Sequence, residues 1–142
     1  MGQSVNPAIL QENAVKHLPT VLIVDDSRVI RHAIAGFLAD YPVVTVEAGD
    51  GEAALEAYAR YRPALVTLDI TMPEMDGLAV LSELKAVDPD LQVMVITALK
   101  DEQTRRKALA LGADDFLTKP VTAHQVRDSF ESLTGKIGMV QG

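Results

Sequence analysis

Charged or hydroxyl side chains directly follow four short apolar runs of this chain. They are Asp25 and Asp26 after residues 20–24, Asp69 after residues 64–68, Thr97 after residues 91–96, and Lys119 after residues 113–118. Carboxylates are seldom buried beside a core strand unless something pairs with them. Their recurrence at the ends of apolar runs therefore raises the question of what these acids do together.

The four runs, and a fifth at residues 43–48, predict β-strands because each is short, apolar and followed by a helical pattern. The runs at 20–24, 64–68 and 91–96 are nearly continuous in Val, Ile and Leu, which is typical of parallel strands covered on both faces. The runs at 43–48 and 113–118 carry more polar residues, which suits edge strands.

Five helical patterns alternate with the strands. Their apolar positions are Val29, Ile30, Ala33, Ile34, Phe37 and Leu38; Ala53, Ala54, Ala57, Tyr58 and Tyr61; Leu78, Leu81 and Leu84; Ala108, Leu109 and Leu111; and Val126, Phe130 and Leu133. The third helix should stop before Pro89, Gly112 suits a left-handed cap after the fourth, and the fifth opens at Thr122. Repeated strand–helix units predict an α/β fold with a doubly wound, five-stranded parallel sheet and five helices.

Parallel strands end at one edge of their sheet, so the side chains that follow them should meet in one pocket. Each has an alternative local role: Asp26 or Ser27 could cap the first helix, Asp69 could close an Asx turn, Thr97 could cap the fourth helix, and Lys119 could be a surface charge. Three carboxylates gathered at one edge repel one another, however, unless a cation joins them.

A hard cation with oxygen ligands fits such a pocket, and Mg²⁺ commonly shares its site with a phosphate group. A lysine and a hydroxyl beside the metal would bind phosphoryl oxygens, and a carboxylate there can accept the group as an aspartyl phosphate. Asp69 is the best-placed acceptor, because it follows the central strand and a turn at Met72-Pro73 and Asp76-Gly77 is expected to leave it exposed. His17, His32 and His124 show no metal-ligand spacing and are interpreted as ordinary surface or helix-end residues.

Composition narrows the class of protein. The chain has 142 residues, a net charge of −7 and a pI near 4.8, which disfavours nucleic-acid binding through phosphates. There is no cysteine, no secretory signal pattern at the start and no apolar run near the roughly 20 residues that span a bilayer, so a soluble cytoplasmic protein is expected. Residues 105–107 are basic but follow two acids, which predicts a solvated helix face or, alternatively, a protein-docking surface.

Four short motifs follow one another along the chain, in the order VLIVDDS, LVTLDITMPEMDGL, VMVITA and GADDFLTKP. Together they resemble the receiver domain of two-component response regulators, the CheY-like family, over roughly residues 20–134. The resemblance implies the flavodoxin-like strand order 2-1-3-4-5. Residues 1–19 are then an N-terminal extension, disordered or docked, and residues 135–142 a flexible tail.

The resemblance also implies a role for each matching position. Asp69 is implied as phosphoacceptor and metal ligand, Asp26 as direct Mg²⁺ ligand, Asp25 as an acid that holds the metal through water, and the backbone carbonyl of Thr71 as a further ligand. Lys119 is implied as the cation that pairs with the phosphoryl group, with an often cis bond to Pro120, and Ala98 as a small residue beside the phosphoryl entry path. Thr97 is implied as the switch hydroxyl and Phe116 as the switch aromatic.

The implied function is a signalling module rather than an enzyme. It would accept a phosphoryl group from a histidine kinase or a histidine phosphotransfer protein, then alter the face formed by helix four, strand five and helix five for a downstream protein target. Thr71 and Leu99 occupy the positions that tune hydrolysis in this family. Leu99 cannot orient an attacking water, so a fairly persistent phosphoryl group is expected.

Other classes remain open at this point. A phosphatase with an aspartyl nucleophile usually needs a second acid two residues after it, where this chain has Thr71. A receiver-like binding module that never carries phosphate usually lacks an acid or the lysine, and all are present here. The chain could also be the receiver fragment of a longer response regulator. If it is complete, nothing after residue 134 could bind DNA and output is expected through protein contacts.

Overall fold

The computed structural model describes residues 18–73 and 75–135. Residues 1–17 of the N-terminal extension, which include His17, and residues 136–142 of the C-terminal tail lie outside the described residues, whereas Gly135 still belongs to the last helix. Among the described residues, no helix has both the length and the apolar character that crossing a membrane requires.

The chain forms one five-stranded parallel sheet. Its strands are β1 (Thr20–Val24), β2 (Val44–Ala48), β3 (Leu65–Leu68), β4 (Gln92–Thr97) and β5 (Asp115–Thr118). They lie side by side in the order β2-β1-β3-β4-β5, and every pair is parallel. The predicted fold class, the strand order and the two edge strands are thereby confirmed.

Five helices follow the strands in the described part of the chain, and the first four connect one strand to the next. They are α1 (Arg28–Phe37), α2 (Gly51–Tyr61), α3 (Gly77–Val87), α4 (Glu102–Ala110) and α5 (Ala123–Gly135). The first four have side-chain caps that accept from the open backbone N–H groups, supplied by Ser27, Asp50, Asp76 and Asp101. Thr122 begins the fifth, since its Oγ1 accepts from the Gln125 N–H at 3.1 Å. Gly112 has the expected positive φ, 108°.

A buried apolar cluster lies on each face of the sheet, because successive strand residues point to opposite sides. Val21 and Ile23 of β1 pack against α1 and α5, where Phe130 is completely buried. Leu22 and Val24 pack on the other face, which α2, α3 and α4 cover. The sheet is thus covered on both faces, and only its edges and loops remain for ligands.

Two helix faces differ from the prediction. Val29 is 77% exposed because it lies in the first turn of α1, beyond the cover of the sheet. Leu109 and Leu111 are also exposed, and Ala108 is the buried residue of α4. The reason is that α4 packs beside β5, an edge strand whose residues are themselves only half-buried. A narrow contact therefore suffices to hold this helix.

Candidate functional site

Three carboxylates meet at the edge of the sheet where the strands end. Asp25 follows β1, Asp69 follows β3, and one carboxylate oxygen from each of Asp25, Asp26 and Asp69 lies within 4.8 Å of the others. Asp26 is exposed, whereas Asp25 is 1% and Asp69 3% exposed. The expectation that the turn after β3 leaves Asp69 exposed is wrong, because the side chain turns into the pocket.

Lys119 is the cation of this pocket. Its Nζ donates to Asp25 Oδ2 at 2.8 Å and to Asp69 Oδ2 at 3.0 Å. Its backbone N–H donates to the Thr97 carbonyl at 2.8 Å, which ties the lysine to the end of β4. The bond from Lys119 to Pro120 is cis, as the resemblance suggested. The surface-charge interpretation of Lys119 is therefore wrong.

The pairing also shifts the acid–base equilibrium of the lysine. Burial alone lowers the pKa of Lys119, but its hydrogen bonds to Asp25 and Asp69 and their negative charges outweigh that effect and raise the pKa above the ordinary lysine value. The ammonium is therefore held in its charged form. Two carboxylates share it.

Local turns orient the two buried carboxylates. Asp25 Oδ1 accepts from the Ser27 N–H at 2.9 Å, and Asp69 Oδ1 accepts from the Thr71 N–H at 2.8 Å. In both residues the other oxygen, Oδ2, faces Lys119. The Asx turn considered for Asp69 is thus present, and it coexists with the pocket because each carboxylate has two oxygens. Ser27, not Asp26, caps α1, so the Asp26 carboxylate remains part of the acidic cluster.

Thr97 is the last residue of β4 and is completely buried. Its hydroxyl contacts the Thr71 hydroxyl and accepts from the Leu99 N–H at 3.3 Å. It does not cap α4, which Asp101 does. Phe116, on β5, is half-buried and packs against the core on the side of α2, α3 and α4. The structure thus brings Thr97 next to Thr71, the residue that holds Asp69.

A close backbone contact fixes the segment that follows Asp69. A Cβ added at Gly77 would lie 2.2 Å from the Ile70 Cα, so only glycine allows this approach. The segment continues as a short antiparallel pair, Thr71–Met72 with Met75–Asp76. The expected turn at Asp76-Gly77 is instead the start of α3, because Asp76 caps this helix and Gly77 is its first residue.

The donor set suits a hard divalent cation. All candidate side-chain ligands are carboxylate oxygens, the type that Mg²⁺ prefers. Three carboxylates and one ammonium leave two negative charges uncompensated among these groups. A divalent ion matches that charge, and the exposed Asp26 leaves the cluster open to solvent on one side.

Arg31 contacts the site but was not predicted from the sequence. Its Nη1 donates to the Asp25 backbone carbonyl at 2.7 Å, and its Nε donates to Glu47 at 3.0 Å. The available signal was its position one turn after the Ser27 cap, where a long side chain can reach back to the end of β1. Its pairing with Glu47 depends on the register of β1 and β2, which the sequence does not specify.

The remaining candidates lie away from the acids. His32 and His124 are exposed, as expected, and face the carboxylates of Glu47 and Asp128. The basic residues 105–107 lie on α4, where two of them pair with Glu102 on the solvent side. This agrees with the solvated-face interpretation.

Comparison with known proteins agrees with this geometry. The sequence model described as "Response regulator receiver domain" matches residues 21–131. The chain is 38% identical to Protein CcdB of Bacillus subtilis over 81% of this chain and 97% of that protein. It is 39% identical to Chemotaxis protein CheY of Listeria monocytogenes over 78% of this chain and 94% of that protein.

A solved structure matches as well. The complex of CheX with CheY, BeF₃ and Mg²⁺ from Borrelia burgdorferi contains a chain that is 32% identical, with a TM-score of 0.77 over 90% of this chain and 97% of that chain. Some other matching relatives are longer proteins, of which this chain spans about half or less.

A five-stranded flavodoxin-like sheet with an acidic pocket and a lysine at its carboxyl edge defines the class of two-component signalling receivers. The chain belongs to the response regulator receiver domain family.

Proposed function

We propose that this chain is a phosphoacceptor receiver, in which Asp69 takes a phosphoryl group from a phosphohistidine of a histidine kinase or a histidine phosphotransfer protein. The observation that carries the proposal is the Lys119 ammonium, which bridges Asp25 and Asp69 inside a cluster of three carboxylates. A buried lysine shared by two acids supplies a cation where a phosphoryl group attached to Asp69 would need one.

The orientation of Asp69 supports its role as acceptor. Its Oδ1 is held by the Thr71 N–H and its Oδ2 faces Lys119. In the proposed transfer an Asp69 oxygen bonds to phosphorus while the bond between phosphorus and the histidine nitrogen breaks. The imidazole leaves with the electron pair of that bond. Lys119 then moves its hydrogen bond from the Asp69 carboxylate to a phosphoryl oxygen, which keeps the new negative charge paired.

The acidic cluster would hold Mg²⁺ through the carboxylates of Asp25, Asp26 and Asp69 and the backbone carbonyl of Thr71. When bound, the ion would supply positive charge to the phosphoryl oxygens during transfer. Asp25 is the most deeply buried of the acids and pairs with Lys119, which fits a role through water, whereas the exposed Asp26 fits a direct ligand.

The proposed switch uses Thr97 and Phe116. The Thr97 hydroxyl now contacts Thr71, two residues after the acceptor, so a short movement would bring it to a phosphoryl oxygen. That movement opens space behind β4, and the half-buried Phe116 would rotate inward to fill it. The face of α4, β5 and α5 would then change shape. Phenylalanine at this position has no hydroxyl to signal with.

The surface of α4 supports an output role for this face. Leu109 and Leu111 are 36% and 38% exposed and offer apolar contact area next to charged residues of the helix. A downstream protein would bind there. The Borrelia CheY chain occurs in a complex with CheX, which is a precedent for a protein partner. We further propose a cytoplasmic location and no binding of nucleic acid or membrane by this domain.

Two alternatives differ in chemistry. A phosphate-independent receiver-like module would use the same fold without modification of Asp69, and a phosphatase would need an acid where Thr71 stands. The proposal is a signalling module with no catalytic turnover of other substrates. It applies equally to a receiver domain within a longer response regulator, with residues 20–134 as the receiver unit.

The test is intact-mass measurement after incubation with Mg²⁺ and acetyl phosphate. The parent chain should gain one phosphoryl group, and Asp69→Asn should gain none. Asp40→Asn is the matched control, since Asp40 is 84% exposed on the surface and should leave the gain unchanged. A chelator should suppress the reaction. A parent that stays unmodified while it binds Mg²⁺ would favour the phosphate-independent module.

A further inference from the structure

Arg31 joins three elements of the fold beside the acidic pocket. From α1 its Nη1 donates to the backbone carbonyl of Asp25 at the end of β1, at 2.7 Å, and its Nε donates to Glu47 of β2, at 3.0 Å. The side chains of Arg31 and Glu47 are 17% and 14% exposed. A planar guanidinium with donors in a fixed fork can make both bonds at once, which a lysine ammonium cannot do in the same geometry.

The surroundings of Arg31 leave its guanidinium little freedom. A Cβ added at Gly49, in the turn after β2, would lie 3.3 Å from Arg31 Nη1, so the guanidinium rests against that backbone. The Asp25 N–H donates to the Ala48 carbonyl at 3.1 Å. The backbone of Asp25 is therefore held at its N–H by β2 and at its carbonyl by Arg31.

We propose that Arg31 is a positioning residue for the metal-binding acids, an inference that rests on the proposed function. The Asp25 carbonyl belongs to the peptide group that joins Asp25 to Asp26. Fixing this peptide sets the directions in which the two side chains leave the backbone. Asp25 is thereby directed to Lys119, and Asp26 to the exposed side of the same cluster. Arg31 acts through the backbone and donates no hydrogen bond to these carboxylates.

The change in Mg²⁺ affinity on substitution of Arg31 distinguishes a positioning role from a purely electrostatic one. A cation close to a Mg²⁺ site repels the ion, so a purely electrostatic role predicts tighter Mg²⁺ binding when the charge of Arg31 is removed and no change when it is conserved. A positioning role predicts weaker binding even when the charge is conserved. Charge-conserving substitutions therefore give the clearest test.

The experiment measures the Mg²⁺ dissociation constant of the unphosphorylated chain by isothermal titration calorimetry. Arg31→Lys keeps the charge but loses the planar guanidinium that donates both hydrogen bonds. Glu47→Asp keeps the charge but draws the carboxylate back from Arg31. Each should weaken Mg²⁺ binding, Arg31→Lys by about 10-fold, as for partners that orient metal ligands elsewhere. The double variant should lose less than the product of the two single effects, because both act through one contact.

Arg106→Lys is the matched control, because Arg106 is a 78% exposed arginine on α4 that pairs with Glu102. It should bind Mg²⁺ like the parent. Circular dichroism on the same samples checks folding. If Arg31→Lys does not fold, the Mg²⁺ dissociation constant of Glu47→Asp alone tests the inference. Variants that bind Mg²⁺ within about twofold of the parent overturn the inference and leave the proposed function standing. A parent chain that binds no Mg²⁺ contradicts both.

Discussion

Gly77→Ala should destabilise the fold although alanine is the better helix former. Gly77 is the first residue of α3, where helix propensity alone would favour alanine. The added Cβ would lie 2.2 Å from the Ile70 Cα and 2.7 Å from the Ile70 carbonyl carbon and oxygen. These are backbone atoms, so the strain cannot be relieved by a side-chain rotation, and the segment after Asp69 must retreat by about 1 Å.

The magnitude follows from the cost of overpacking a close contact, which is about 1–3 kcal/mol. Because backbone atoms of the acceptor segment must move, we expect a loss of about 3 kcal/mol in the free energy of unfolding. Urea titration followed by far-ultraviolet circular dichroism measures it. The displaced segment should also accept a phosphoryl group from acetyl phosphate more slowly, under conditions where the variant is folded.

Gly36→Ala is the matched control. Gly36 lies in α1 with nothing within 4 Å of an added Cβ, so the same substitution should stabilise the protein by about 0.5 kcal/mol through helix propensity alone. The opposite signs of the two variants are the diagnostic result. A loss below about 0.5 kcal/mol for Gly77→Ala would show that the segment after Asp69 does not depend on this contact.

Four further predictions rest on separate features. Thr67→Val should raise the free energy of unfolding by about 1 kcal/mol in urea, because the buried Thr67 hydroxyl has no hydrogen-bond partner among the described residues; a loss would reveal a partner. Phe130→Ala should cost about 4 kcal/mol by the same titration, since the ring is fully buried, and a cost near zero would contradict the packing of α5. Burial, and then its hydrogen bond to Asp88, raise the pKa of Tyr58 above 10.0, so the folded state holds this proton more tightly than the unfolded state. The resulting stabilisation is complete below pH 10 and is lost as pH rises through the raised pKa. Tyr58→Phe should therefore make the free energy of unfolding, measured by urea titration, fall less steeply with alkaline pH. An unchanged fall would mean that other groups cause it. Leu99→Asn should shorten the lifetime of the phosphoryl group on Asp69, followed by intact mass over time after the phosphodonor is removed, and an unchanged decay rate would dismiss a role for Leu99.

The sheet was predictable because each of its strands corresponds to a short apolar run in the sequence. Residues 20–24 and 64–68 are covered on both faces, so their composition alone indicates parallel strands. Once the strands are parallel, the polar residues after them must share an edge. The meeting of Asp25, Asp69 and Lys119 therefore follows from topology rather than from any one residue.

The details that escaped prediction depend on three-dimensional contacts. Asp69 is buried because Lys119 reaches it from 50 positions away in the chain, which no local pattern encodes. Leu109 fits a helical apolar pattern but is exposed because α4 covers an edge strand. Gly77 looked like a turn residue, although its glycine is required by the approach of Ile70. The pairing of Arg31 with Glu47 could not be predicted because it depends on the register of β1 and β2.

The most direct test of Asp69 as the phosphoacceptor is to locate the acyl phosphate within the chain. Three carboxylates lie within 4.8 Å of one another, so a gain in intact mass does not by itself tell which one is modified. Borohydride reduction of the phosphorylated chain, followed by peptide mass spectrometry, converts the modified aspartate into a distinguishable residue. Conversion is expected at Asp69 alone. Conversion at Asp25 or Asp26 would contradict the role of Asp69 as acceptor.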